Sequence, residues 1–119
     1  MAHILIVDDS PQDIDNVKSI LEGKGHKTSA ASDGEQGIQK AKELKPDLIV
    51  MDIVMPGLDG FKTTRKLKKQ SDLKIPVVVM SSKNQETDKA WAKMQGADEY
   101  LVKPVKEPEL MAAVKKTVG

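Results

Sequence analysis

The strongest constraint on this chain is an alternation: a short apolar run, then a segment with helical spacing, five times over 119 residues. Ile4-Leu5-Ile6-Val7 is continuous, rich in β-branched residues and followed by charge, so it reads as a buried strand. Ser10-Pro11 opens a helix, with Ser10 as N-cap and Pro11 at the first helical position. Ile14, Val17 and Leu21 recur at helical spacing, and Gly23 and Gly25 end the element. A weaker strand spans about Lys27 to Ala31, mainly because the alternation needs one there. A second helix covers about Gly34 to Leu44, with Ile38, Ala41 and Leu44 inward, and Pro46 stops it. Asp47 to Asp52 is the third strand. Met55-Pro56-Gly57-Leu58-Asp59-Gly60 is turn chemistry, and a third helix runs from about Phe61 to Lys69. Ile75 to Met80 is the fourth strand. The fourth helix carries Thr87, Ala90, Trp91 and Met94 at i, i+3, i+4 and i+7, a stripe that predicts an inward face with Trp91 in the core. Tyr100-Leu101-Val102 is the last strand. The last helix opens at Glu107-Pro108-Glu109 and buries Leu110, Ala113, Val114 and Thr117. Strand and helix alternating in this way predict an α/β fold, a parallel sheet covered on both faces.

What ends each strand carries the functional signal. Ile4 to Val7 is followed by Asp8 and Asp9, and Leu48 to Met51 by Asp52. Val77 to Met80 gives way to Ser81 and Ser82, and Tyr100 to Val102 gives way to Lys103. In a parallel sheet all carboxyl ends lie on one edge, where ligands bind at the switch in strand order. Three carboxylates, a hydroxyl and an ammonium are thus delivered to one place. One such ending is commonly a helix cap; four in register point to a site. Clustered carboxylates repel one another, so the site favours either raised pKa values or a bound cation. Oxygen ligands without histidine or cysteine suit a hard ion such as Mg²⁺. Asp8 and Asp9 are the natural ligands, and Asp52 can ligate with one oxygen and attack phosphorus with the other. Lys103 and Ser81 supply charge and a hydrogen bond to phosphoryl oxygens.

Composition excludes several other classes. Nineteen basic against 18 acidic side chains leave a formal charge of +1, without the basic excess of a nucleic-acid binder. There is no cysteine, hence neither disulfide nor thiolate metal site. The apolar runs are far too short to span a membrane, and the N-terminal run lacks the flanks of a secretory signal. The expectation is one cytoplasmic domain over residues 1–119, without an output domain and monomeric. Lys62, Arg65, Lys66, Lys68 and Lys69 read as a solvated basic face. His3 and His26 carry no chemistry on this reading.

The chain resembles, over its whole length, the receiver domain of two-component response regulators. The matching motifs are Val7-Asp8-Asp9-Ser10, Met51-Asp52-Ile53-Val54-Met55-Pro56-Gly57-Leu58-Asp59-Gly60, Met80-Ser81-Ser82 and Val102-Lys103-Pro104. The resemblance implies a flavodoxin-like (βα)5 three-layer sandwich with strand order 2-1-3-4-5. It implies that Asp52 accepts a phosphoryl group from a histidine kinase or phosphotransfer protein. It further implies that Asp8, Asp9, Asp52 and the backbone carbonyl of Val54 hold Mg²⁺, and that Lys103 pairs with the phosphate. A cis peptide bond before Pro104 is part of the same expectation. Ser81 and Tyr100 resemble the switch pair that reshapes the face of the fourth helix, fifth strand and fifth helix for an output partner. Val54 and Lys83 occupy positions that tune phosphoryl lifetime. Glu86 to Ala97 is similar to single-domain regulators of twitching motility, and the chain as a whole resembles single-domain motility and chemotaxis regulators. Val105, where many receivers carry phenylalanine, departs from the pattern, as does Ser81 in place of the frequent threonine.

Other readings remain beside this one. A degenerate receiver acting as an unphosphorylated scaffold would lack an acidic residue or the lysine, and all are present. A phosphate sink for a shared kinase uses the same chemistry. An aspartate-nucleophile phosphatase would carry a second aspartate two residues after the first, where this chain has Val54. Neither a Gly-x-Gly-x-x-Gly turn nor a P-loop pattern is present.

Overall fold

A computed structural model describes residues 2–55, 59–69, 74–83 and 85–118. The turn expected at Met55 to Gly60 falls partly on residues 56–58, outside the described residues. The elements run β1 His3–Val7, α1 Pro11–Gly23, β2 Lys27–Ala31, α2 Gly34–Leu44, β3 Leu48–Asp52, α3 Gly60–Lys69, β4 Val77–Ser81, α4 Glu86–Met94, β5 Glu99–Val102 and α5 Glu107–Val118. The five strands form one parallel sheet in the order β2-β1-β3-β4-β5.

Why these segments pair as they do follows from burial. Ile4 to Val7, Leu48 to Met51 and Val77 to Met80 are buried throughout, as a sheet covered on both faces requires. Alternate residues divide between two cores. Ile4, Ile6, Leu48, Val50, Val78 and Met80 meet Val17, Leu21, Leu110 and Val114 of α1 and α5. Leu5, Val7, Ile49, Met51, Val77 and Val79 meet Ala41 and Leu67 of α2 and α3. Each fully buried aliphatic side chain stabilises the fold by about 1.5–3 kcal/mol. β2, on the sheet edge, is only partly buried, which is why its sequence signal is weak.

The local signals act as read at α1. The Ser10 side chain accepts the Asp13 N–H, Pro11 stands at the first helical position, and Gly25 adopts a positive φ of 88° after the helix. Asp33 caps α2 in the same way, accepting from the Gln36 N–H at 2.8 Å.

Three expectations about faces are corrected. Leu44, expected inward, is exposed in the last turn of α2, immediately before the left-handed Lys45 cap, and the buried face of the helix is made by Gly34, Gly37 and Ala41. In α4 the whole expected stripe, Thr87, Ala90, Trp91 and Met94, is exposed. Ala92 is the buried residue, with Asp88 and Gln95 half-buried above and below it on the same stripe. The helix is thus turned by one residue, about 100°, so that a small side chain rather than indole meets the sheet. Trp91 lies instead edge-on to Phe61 of α3, ring centroids 6.3 Å apart at 85°. Thr117, expected buried in α5, is half-buried, its hydroxyl donating to the Ala113 carbonyl.

Candidate functional site

Sheet order brings the site together. β1 and β3 are neighbours, and β1 separates β2 from β3, so the direction of the chain's progress reverses there. Asp8 follows β1 and Asp52 ends β3, which places two carboxylates side by side. Ser81 ends β4. The Lys103 N–H donates to the Ser81 carbonyl at 2.7 Å, which fixes the lysine at the end of β5. The peptide bond from Lys103 to Pro104 is cis, as the resemblance implied.

The backbone around Asp52 is held by close contact with α3. The Gly60 N–H donates to the Ile53 carbonyl at 2.8 Å, and the Asp59 carboxylate caps α3 by accepting from the Lys62 N–H at 2.9 Å. The Ile53 N–H is bonded to Met80 on the neighbouring strand. Both backbone groups of Ile53, the residue after Asp52, are therefore bonded.

Asp8 and Asp52 are buried, whereas Asp9 is exposed. One oxygen from each lies within 4.8 Å of the others. Asp8 Oδ1 accepts the Ser10 N–H at 2.9 Å, and its Oδ2 accepts from Lys103 Nζ at 3.0 Å. Lys103 Nζ also lies 3.0 Å from Asp52 Oδ1. A third carboxylate, Asp13 of α1, reaches the same ammonium at 2.8 Å. The sequence reading missed Asp13, which does not follow a strand; its signal was its place one turn into the helix after Asp8 and Asp9.

The electrostatics follow from this geometry. Burial, reinforced by the charges of Asp8 and Asp9, raises the Asp52 carboxyl above its usual range, and the Lys103 hydrogen bond offsets only part of that. Burial pulls Lys103 down, but its bonds to Asp13, Asp8 and Asp52 outweigh it and hold the ammonium above the usual lysine range. The two shifts are compatible. Lys103 gathers three carboxylates, while Asp52 faces two like charges with one ammonium. Such a donor set, all oxygen and net negative, fits a hard divalent cation.

The remaining expected residues lie around this cluster. Ser81 is buried, and its Oγ accepts the Lys83 N–H at 3.1 Å. The Tyr100 hydroxyl donates to the Lys83 carbonyl at 2.8 Å. Ser81, Lys83 and Tyr100 are thus linked in a chain from the buried end of β4 to the half-buried ring on β5. The Val54 side chain is 63% exposed, two residues past Asp52.

The fold and this carboxylate–lysine centre are those of a receiver domain, and comparison agrees: the chain belongs to the response regulator receiver domain family, whose model matches residues 4–115. It is 49% identical over 115 residues to protein PilH of Pseudomonas aeruginosa, covering 96% of this chain and 95% of that protein. To the alkaline phosphatase synthesis transcriptional regulatory protein PhoP of Bacillus subtilis it is 39% identical, across 94% of this chain but only 46% of that one. Among solved structures, the Vibrio cholerae chemotaxis protein CheY4 superimposes with a TM-score of 0.91 at 30% identity, covering 98% of both chains. Among the described residues, no helix is long and apolar enough to cross a membrane.

Proposed function

We propose that Asp52 accepts a phosphoryl group from the phosphohistidine of a kinase or phosphotransfer protein, and that the chain signals by binding an output partner. The observation that supports this best is the single ammonium of Lys103 at 3.0 Å from both Asp8 and Asp52, beside the Asp9 carboxylate. In the transfer the phosphorus–nitrogen bond of the donor breaks, the imidazole departs, and an acyl phosphate forms on Asp52. Lys103 balances charge on the transferred group's oxygens, and the Ser81 hydroxyl donates to one of them. Asp8, Asp9, Asp52 and the Val54 carbonyl would hold Mg²⁺, which supplies further neutralisation of phosphoryl charge when bound.

Movement of Ser81 toward the phosphoryl group would pull on Lys83, to which Tyr100 is bonded, and so alter the face of α4, β5 and α5. Val54 and Lys83, both exposed beside the site, govern access of the water that hydrolyses the acyl phosphate. The catalysis is limited to the chain's own phosphorylation and dephosphorylation. A cytoplasmic monomer that binds neither DNA nor membrane fits the near-neutral charge. A motility or chemotaxis pathway is supported by the likeness to the Vibrio chemotaxis protein and by the Glu86 to Ala97 segment.

Incubation with Mg²⁺ and acetyl phosphate, followed by intact mass, tests this reading. Gain of one phosphoryl group that requires both Mg²⁺ and Asp52, lost in Asp52→Asn, is expected. Failure both to gain mass and to form a beryllofluoride complex would demote the chain to a scaffold.

A further inference from the structure

Asp13 is the partner of Lys103 that phosphoryl transfer leaves without a task. We propose that Asp13 is a positioning residue: it keeps hold of the Lys103 ammonium while Asp8 and Asp52 exchange that ammonium for a divalent cation and a phosphoryl group. The inference rests on Asp52 being the phosphoacceptor.

An ammonium has three donors and no acceptor, and three carboxylates surround this one, at 2.8 Å for Asp13 and 3.0 Å for Asp8 and Asp52. Asp8 and Asp52 belong to the oxygen cluster suited to a cation; Asp13 does not. With a cation bound, the charges of Asp8 and Asp52 would be compensated by it, and Asp13 would be the remaining anion that still needs the lysine. Lysine is a compact charge on a flexible stem and settles wherever the counter-charge is greatest. Without Asp13 it settles wholly on Asp8 and Asp52 and competes with the cation. With Asp13 one donor stays anchored and two turn to the phosphoryl oxygens.

Asp13 is well placed for this. Its backbone N–H donates to Ser10 Oγ at 3.3 Å, and the Ser10 N–H donates to Asp8 Oδ1 at 2.9 Å. The start of α1 therefore sets Asp13 and Asp8 in one frame. A half-exposed carboxylate in the first turn of a helix is ordinarily a weak dipole partner or surface ion pair. Here the lysine side chain is only 17% exposed, and the Asp13 bond is its shortest.

Titration calorimetry with MgCl₂ alone tests the proposal. Asp13→Asn, which keeps the shape and loses the charge, is expected to weaken Mg²⁺ binding by about three- to ten-fold. Asp13→Glu should restore much of it. In a Lys103→Met background the loss should shrink to less than half, because no ammonium remains to be held. Unchanged Mg²⁺ affinity, or an equal loss in both backgrounds, overturns the proposal. Should the wild-type chain bind no Mg²⁺, the phosphoacceptor reading fails separately. Asp13 is then judged in metal-free protein by ¹⁵N NMR of the Lys103 ammonium, whose protons should exchange faster in Asp13→Asn; equal exchange overturns it.

Discussion

Gly60 stands so close to Asp52 that a Cβ built on it would lie 2.1 Å from the Asp52 carbonyl oxygen and 2.6 Å from the Ile53 Cα. Both neighbours are backbone and cannot rotate aside. The first turn of α3 therefore serves as a wall that sets where the Asp52 backbone leaves β3.

Gly60→Ala should accordingly cost about 1–3 kcal/mol or more, the range for a forced backbone shift. Gly23→Ala is the control: a Cβ there meets nothing within 4 Å. At the end of α1 it should be neutral or stabilise by up to about 1 kcal/mol. Urea denaturation compares the two. Equal, small effects would show that the loop after β3 yields and that Gly60 is not a wall.

The pH dependence of Asp52 has a definite sign. Its carboxyl is raised by burial and by Asp8 and Asp9, so the folded state holds that proton more tightly than the unfolded chain does. The resulting stability is present at low pH, below the unfolded carboxylate range, and is lost as pH rises through the folded value. Asp52→Asn should therefore melt higher than wild type at neutral pH in metal-free buffer, and the gap should close as pH falls. Lys103, shifted upward, keeps its contribution across this whole window and does not disturb the comparison. A gap that widens toward acid would reverse the assigned sign.

Removing the ammonium exposes the opposite face of the same balance. Lys103→Met leaves Asp8 and Asp52 buried without a cation, a loss of about 3–5 kcal/mol by the usual cost of breaking a buried pair. Mg²⁺ should return much of that. At a concentration one hundred times Kd, a bound ion contributes about 2.7 kcal/mol. The Mg²⁺-induced rise in Tm should thus survive in Lys103→Met, with tighter binding than in wild type, because the competing charge is gone. Calorimetric scans with and without MgCl₂ read both quantities. Loss of Mg²⁺ binding in the variant would mean that Lys103 helps to hold the ion rather than competing with it.

How much of this was legible in the chain itself depends on the scale of the signal. The parallel sheet and the four strand endings were readable because alternation, period and sheet direction converge there, whereas the strand order came only from the family resemblance and agrees with the sheet observed. β2 emerged with the expected bounds though its residues argue weakly, since the alternation left it no other place. Asp13 was missed because its role depends on which way a lysine 90 residues later turns, as the separation of their contact shows. The facing of α4 was misread for a related reason. Helical spacing identifies a stripe but does not say that the stripe points inward, and on a helix set against the edge of a sheet a single alanine can decide the rotation.

That rotation makes the last prediction. Trp91 is 49% exposed and Met94 is 74% exposed, with Phe61 edge-on to the indole. A buried tryptophan costs about 3–5 kcal/mol when cut to alanine. A half-exposed one, whose edge-to-face pair adds to a smaller buried area, should lose less, about 1–3 kcal/mol. Because Trp91 is the sole tryptophan, its fluorescence reports this site without interference. Emission should be red-shifted and readily quenched by iodide in the folded protein, and Phe61→Leu should make quenching easier still. A blue-shifted emission shielded from iodide, together with a large stability loss in Trp91→Ala, would return the indole to the core, where helical spacing alone had put it.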